Sequence, residues 1–400
     1  MRTTTFRDVL LEEIAEIKSG VGFPISMQGC ESGDFPFAKV GDISNRARSG
    51  EQFISDAPNW VKNEDLSTLK FTPFPTGTIV FAKIGEAIRQ NFRAVSTRPM
   101  LFDNNVMGVI PQEERVDTTY LYFYLRTLDF YHLAGKTTVP AIRKSTIEKL
   151  KIPLPPLEEQ RRIAAILDKA DGVRRKRKEA IRLTEELLKS TFLEMFGDPV
   201  TNPKGWEICS MKKIVVETQY GTAEKSQEVM GGLPILRMNN ITYSGEIDLN
   251  SLKWCQIPPK DEDKFTVKRG DLLFNRTNSP ELVGKTAVWR SDGKFAYAGY
   301  LIRVRFDKSK ANSEYVSAFL NSNYGKRYLL EKAKPSINMS NFSASEFLKI
   351  PILLPDIETQ HRFDEFVSYT RMMSQHLSDG LGDYNNLFNS LLQRAFRGEL

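Results

Sequence analysis

Between residues 157 and 196 the apolar positions Ile163, Ile166, Leu167, Val173, Ile181 and Leu188 recur in steps of three, four or their sums. That is the period of one buried face of a helix. The same pattern returns 200 residues later at Phe363, Phe366, Val367, Met373, Leu381 and Phe388. It predicts two long helices, and their ends carry matching punctuation. Pro155 and Pro156 suit a first turn, where a missing N–H costs nothing, and Glu158 and Glu159 sit at the positive end of the helix dipole. Asp356 is placed to cap the second helix. Gly197, followed by Pro199, stops the first, and Gly398 stops the second. About 40 residues at 1.5 Å each make a rod of roughly 60 Å, whose apolar stripe needs a partner. The other copy is the nearest candidate, which predicts an antiparallel pair. Gly380 and Gly382, each costing about 1 kcal/mol in a helix interior, predict a bend or weak spot in the second.

The segments between the helices repeat more faintly. FPFAKVGDI (35–43) aligns with LPILRMNNI (233–241), and GTIVFAKI (77–84) with GDLLFNRT (270–277). Each reads as a strand with a polar or basic exit. KTTVPAIRKSTIEKLKIP (136–153) aligns with KPSINMSNFSASEFLKIP (334–351), a polar loop leading to a short apolar strand. The fold class that follows is α+β: two globular mixed α/β domains, at 1–155 and 197–355, each followed by a long helix, at 156–196 and 356–400.

A chain of 400 residues is too long for one core, in keeping with two domains. No apolar run reaches the roughly 18 residues that cross a bilayer, and the N-terminus lacks a signal-peptide core, so a cytoplasmic location is expected. Cys30, Cys209 and Cys255 are isolated and read as reduced thiols rather than disulfide or zinc partners. The net charge of +6 permits a polyanionic partner, and it is uneven: +1 over 1–155, +2 over 156–196, +6 over 197–355 and −3 over 356–400. The opposite signs of the two helices favour their pairing.

The order domain, helix opening LPPLEEQ, domain, second helix resembles the specificity (S) subunits of type I restriction-modification systems. The residues that carry the resemblance are Ile152, Pro153, Leu154, Pro155, Pro156, Leu157, Glu158, Gln160 and Ile163, with FLEMFGDP at 192–199. The second copy adds Ile350, Pro351, Leu354, Pro355, Gln360 and the terminal AFRGEL, and the run at 270–306 resembles a target-recognition domain. The resemblance implies that each domain reads one half of a bipartite double-stranded DNA site. It implies helices that pair as an antiparallel coiled coil, fix the spacing and dock two modification (methyltransferase) subunits. Those partners would bring S-adenosylmethionine, and a restriction motor-nuclease subunit would bring ATP and magnesium, so this chain is expected to bind no cofactor or metal and to have no catalytic centre.

The residues agree with that expectation. His132, His361 and His376 fall in no metal or triad spacing, and the chain holds no P-loop, no GxGxxG and no (D/N)PP(Y/F) segment. Base reading needs directional donors and acceptors at strand exits and loops. In the first domain these are Lys39, Lys83, Arg89, Gln90, Arg93, Thr137, Thr138, Arg143 and Lys144. In the second they are Arg237, Asn239, Asn240, Asn275, Arg276, Asn278, Lys285, Ser336, Asn338, Ser340 and Asn341. Taken singly each also fits a solvated loop or a satisfied turn; the set, rich in Asn and Arg, points to DNA. Tyr120, Tyr122, Phe123, Tyr124, Phe130 and Tyr131 resemble a base-stacking cluster, but their spacing favours a helix core. RRKRK at 174–178 fits a solvated turn or a strip over phosphates between two half-sites. A non-enzymatic adaptor, with two protein-binding domains on a coiled-coil rod, is the alternative from another class.

Overall fold

The structure, a computed structural model, describes residues 6–135, 138–279, 282–336 and 339–400, with the backbone alone at 68, 69, 334–336 and 339. The two long helices run Leu157–Phe196 and Ile357–Phe396, 40 residues each. Asp356 caps the second, accepting the Thr359 N–H at 2.8 Å. Gly197 and Gly398 end the helices at φ +80° and +71°, a left-handed conformation that glycine reaches without a Cβ clash. The chain divides into two compact units, Met1–Arg182 with Gln375–Leu400, and Leu183–Ser374. Each unit therefore contains one globular part and one portion of each helix, and these helix portions contribute to its core.

In unit 1, Ile163, Ala164 and Leu167 near the start of the first helix share a core with Phe388, Leu392 and Ala395 near the end of the second. In unit 2, Phe192 and Phe196 at the end of the first meet Phe363 near the start of the second, with ring centroids 5.7 and 5.3 Å apart. Within each unit the helices run antiparallel. The second helix is continuous across Gly380 and Gly382. A Cβ on Gly380 would lie 2.5 Å from the guanidinium of Arg177, which lies 4.5 Å over the Tyr384 ring.

The RRKRK tract is likewise helical rather than a turn. Arg174 and Arg175 bond the buried carboxylate of Asp171 at 2.5 and 3.2 Å, and Arg174 lies over Phe388. Lys176 and Lys178 are exposed. Two hundred residues on, Arg371 occupies the position of Asp171 with the opposite charge, binding Glu246 at 2.7 Å and Glu314 at 2.9 Å. Asp171 also pairs with Arg126 of the globular part at 3.4 Å, so the two helices are tied to their own units by different ionic codes.

The two units share one frame. In unit 1, Arg7–Leu10 pairs antiparallel with Lys151–Leu154; in unit 2, Glu207–Ser210 pairs with Pro351–Leu354. A larger sheet follows in each. Unit 1 orders it Ala15–Ser19, Val106–Pro111, Ile79–Ala82, Arg93–Ser96, Phe53–Ile54, and unit 2 orders it Val215–Tyr220, Leu301–Phe306, Leu272–Asn275, Thr286–Val288. A three-stranded sheet completes each frame: Asn59–Val61, Phe35–Ala38, Leu101–Phe102 and Lys253–Cys255, Leu233–Leu236, Ala296–Tyr297. Tyr120, Tyr122, Phe123 and Phe130 are buried in the unit 1 core, so the aromatic run is packing and not a stacking platform.

The glutamine of each ramp is a backbone clamp. Gln160, 1% exposed, takes the Asp117 N–H and donates to the carbonyls of Arg115 and Pro155. Gln360, fully buried, takes the Asn312 N–H at 2.9 Å and donates to Lys310 and Pro355 at 3.1 and 2.9 Å. Gln360→Leu removes three backbone hydrogen bonds at once, the one to Pro355 buried and the other two part-buried, and a buried group left unsatisfied costs about 1–3 kcal/mol. We expect unit 2 to lose about 3 kcal/mol, seen as a lowered denaturant midpoint of tryptophan fluorescence, since Trp206, Trp254 and Trp289 all lie in that unit. An unchanged midpoint would contradict the clamp.

Candidate nucleic-acid interface

In both units the larger sheet hands over to the three-stranded sheet at one end, and a glycine sits at the crossing. Gly20 donates its N–H to Val106, Val21 donates to Phe102, and a Cβ on Gly20 would fall 2.0 Å from the carbonyl oxygen of Asp103. Gly221 donates to Leu301, Thr222 donates to Tyr297, and a Cβ on Gly221 would fall 2.3 Å from the carbonyl oxygen of Ala298. Around this crossing the backbone bonds pair the two units position by position. Asp103 N–H binds the Ala38 carbonyl as Ala298 N–H binds that of Leu236, which makes Lys39 the counterpart of Arg237. Lys83 N–H binds the Asn105 carbonyl as Arg276 N–H binds that of Tyr300, which makes Lys83 the counterpart of Arg276. Ser19 and Tyr220, each the residue before the crossing glycine, correspond as well.

Each unit therefore presents two cations on the same frame among different neighbours. In unit 1 the Lys39 ammonium donates to Gln28 Oε1 at 2.9 Å and lies over the Phe23 ring, and Lys83 donates to Ser19 Oγ at 3.0 Å. Burial pushes the Asp103 carboxyl up, against the hydrogen bonds from Asn105. The loop that closes this end bonds through Ile142 N–H to Lys83 and Gly85 N–H to Pro140, placing exposed Thr138 and Arg143 on the adjoining segment. Lys144 pairs with Glu148 at 3.5 Å. In unit 2 the Arg237 guanidinium donates to the Ser251 carbonyl at 2.9 Å, and that of Arg276 lies 5.0 Å over the Tyr220 ring. Tyr220 and Tyr300 are 39% and 52% exposed, and Asn239 is exposed beside them in the set.

Other expected base readers are placed elsewhere. Arg93 is 4% exposed, donates to Asn91 and Leu128 and stacks 3.9 Å over Phe130; burial lowers its pKa to about 9. It is a core residue. Asn240 is 1% exposed because it closes a turn, accepting the Arg237 N–H and donating to the Asp248 carbonyl. Lys285, 8% exposed, donates to the Met238 carbonyl, and burial lowers its pKa. Asn275 is fully buried and Ser340 nearly so, so neither reaches a ligand from its strand. Arg89 binds Tyr131 Oη at 2.6 Å and Gln90 accepts from Arg48 at 2.8 Å, which ties both to a group apart from the crossing. Asn278 accepts the Ser279 N–H, and Asn341 accepts the Thr277 hydroxyl at 2.6 Å. Ser336 lies in a strand opposite Met339, while Thr137 and Asn338 lie outside the described residues.

Sequence reasoning missed Ser19, Asp103, Asn105, Tyr220 and Tyr300. No periodicity marks them, and they differ in type between the repeats; the glycines at 20 and 221, offset by nearly the repeat length, were the available signal. Among the described residues no helix is long and apolar enough to cross a membrane, and no group of three or more His, Cys, Asp or Glu is placed to hold a metal.

The chain is a duplicated frame with two chemically distinct cation-bearing ends. Residues 4–183 match the family described as type I restriction modification DNA specificity domain. The chain is 26% identical to the type I restriction enzyme EcoKI specificity subunit of Escherichia coli K12, over 73% of this chain and 68% of that one. It is 22% identical to the EcoBI specificity subunit of Escherichia coli, over 98% of this chain and 85% of that one. The fold matches the crystal structure of a type I restriction-modification S subunit from M. genitalium, with a TM-score of 0.61 at 13% identity, over 99% of this chain and 97% of that one. A chain from a structural study of type I system assembly and conformational transition matches at 0.52 and 18% identity, over the full length of both. The chain is thus similar over most of its length to type I restriction-modification specificity subunits, and residues 4–183 match their DNA specificity domain.

Proposed function

We propose that this chain supplies the DNA sequence specificity of a type I restriction-modification assembly, each unit reading one half of a bipartite site. The observation that carries the reading is the pair of equivalent crossings, Lys39 and Lys83 beside Ser19, Asp103 and Asn105 in one, Arg237 and Arg276 beside Tyr220, Ala298 and Tyr300 in the other. One frame with two different sets of donors and acceptors suits two unequal half-sites, because base edges are told apart by their donor and acceptor pattern. The paired helices hold the spacing and dock the modification subunits, a role supported by exposed apolar side chains on them such as Leu183, Leu187 and Met372. The methyl donor S-adenosylmethionine is bound by the modification subunits, and ATP and magnesium by the motor-nuclease subunit; this chain contributes no catalytic group. The assembly acts on double-stranded DNA in the cytoplasm.

The test is binding of a DNA duplex by the chain reconstituted with its modification subunits, measured against salt. If six or more phosphates are neutralised, affinity falls about a thousandfold or more between roughly 50 and 200 mM salt. The purified chain alone transfers no methyl group. An affinity flat in salt would favour a protein-binding adaptor, and methyl transfer by the chain alone would overturn the division of labour.

A further inference from the structure

Arg276 stands apart from the other cations of the two crossings. Lys39, Lys83 and Arg237 each donate to an oxygen within their own unit. The Arg276 guanidinium makes no hydrogen bond or ion pair with the described residues, although it is half-buried and its Nε is shielded from solvent without a partner. Its Cζ lies 5.0 Å from the centroid of the Tyr220 ring, and the Tyr220 hydroxyl is itself anchored by the Ala344 N–H at 2.9 Å. A cation held over a pinned ring is restrained in place, and its N–H donors stay free for a ligand. The nearby acceptors are occupied: Asn275 Oδ1 takes the Thr277 N–H, and Asn341 Oδ1 takes the Thr277 hydroxyl.

A place with surplus donors and engaged acceptors selects an edge made of acceptors. Of the base edges in the major groove, guanine alone offers two adjacent acceptors, O6 and N7, at the span of an arginine fork. A phosphate would also satisfy Arg276, but it needs neither a restrained guanidinium nor a half-buried stem. We propose that unit 2 reads a guanine in its half-site through Arg276, with Tyr220 as the positioning residue behind it. This rests on the DNA-reading function proposed above. Unit 1 lacks the device: the counterpart of Arg276 is Lys83, a point charge already donating to Ser19.

The experiment expresses the wild-type, Arg276→Ala and Arg276→Lys chains, each with the modification subunits, in cells free of other adenine methylation, and reads the methylated motif by single-molecule sequencing. The wild-type motif is expected to hold a guanine in the unit 2 half. Arg276→Ala should lower discrimination at that base about tenfold to a hundredfold while the other half stays intact. If the alanine chain does not assemble, Arg276→Lys decides: it keeps the charge and stem but not the fork, and should still relax the guanine. An unchanged motif in the lysine chain, no guanine in the unit 2 half, or equal loss of methylation at every sequence overturns the proposal. A wild-type assembly that writes no sequence-specific methylation overturns the underlying function instead.

Discussion

Gly221→Ala is expected to destabilise unit 2 by about 3 kcal/mol, the upper end of the overpacking range, and Gly20→Ala to do the same to unit 1. Neither effect concerns backbone torsion; both concern space. The added methyl would sit 2.3 Å from the carbonyl oxygens of Ala298 and Tyr297 in unit 2, and 2.0 and 2.4 Å from those of Asp103 and Phe102 in unit 1. Side-chain rotation cannot relieve a contact between a Cβ and a carbonyl. The sheets would have to part, loosening the bonds from Thr222 to Tyr297 and from Val21 to Phe102 that hold the crossings closed. Hydrogen exchange is the measurement. Amides of 215–220 and 301–306 should lose protection in Gly221→Ala, and those of 15–19 and 106–111 in Gly20→Ala. Protection within about 1 kcal/mol of wild type would mean the crossings have slack.

Exchanging residues 15–111 for the matching segment of another specificity subunit is expected to change one half of the methylated site and leave the other. The boundaries follow from pairing. Ala15 and Pro111 face each other in the larger sheet, so the exchanged piece begins and ends at one place. The helix Thr118–Thr127, whose Tyr120, Phe123 and Tyr124 pack on Phe396 and Phe388, stays with the long helices it fits. The piece carries Ser19, Lys39, Lys83, Asp103 and Asn105, the whole unit 1 crossing. Motif sequencing of the hybrid checks it. A change in both halves would show that the units do not read independently.

These two expectations also mark how far the sequence can be read. The long helices were legible because an apolar period sustained over 40 residues has few other solutions, and the glutamine at 160 and 360 repeated with them. The strand exits at Lys39, Lys83, Arg237 and Arg276 were legible because two weak alignments supported each other. What stayed hidden depended on partners distant in the chain. Arg93 looked like a surface donor, but it points at carbonyls of Asn91 and Leu128 that close around it only after folding. Lys285 meets the Met238 carbonyl 47 residues away in the chain, and Gly380 makes sense only beside Arg177. Tyr220 and Tyr300 join Arg276 only because the strands Val215–Tyr220 and Leu272–Asn275 both pair with Leu301–Phe306.

The central claim is that one frame, used twice with different side chains, reads two different sequences. The most direct measurement is the set of sites methylated by the wild-type chain with its modification subunits, read at single-base resolution. The account predicts an asymmetric motif of two short specified halves separated by a gap of unspecified bases. A single uninterrupted motif, or two halves that repeat the same sequence, would contradict it.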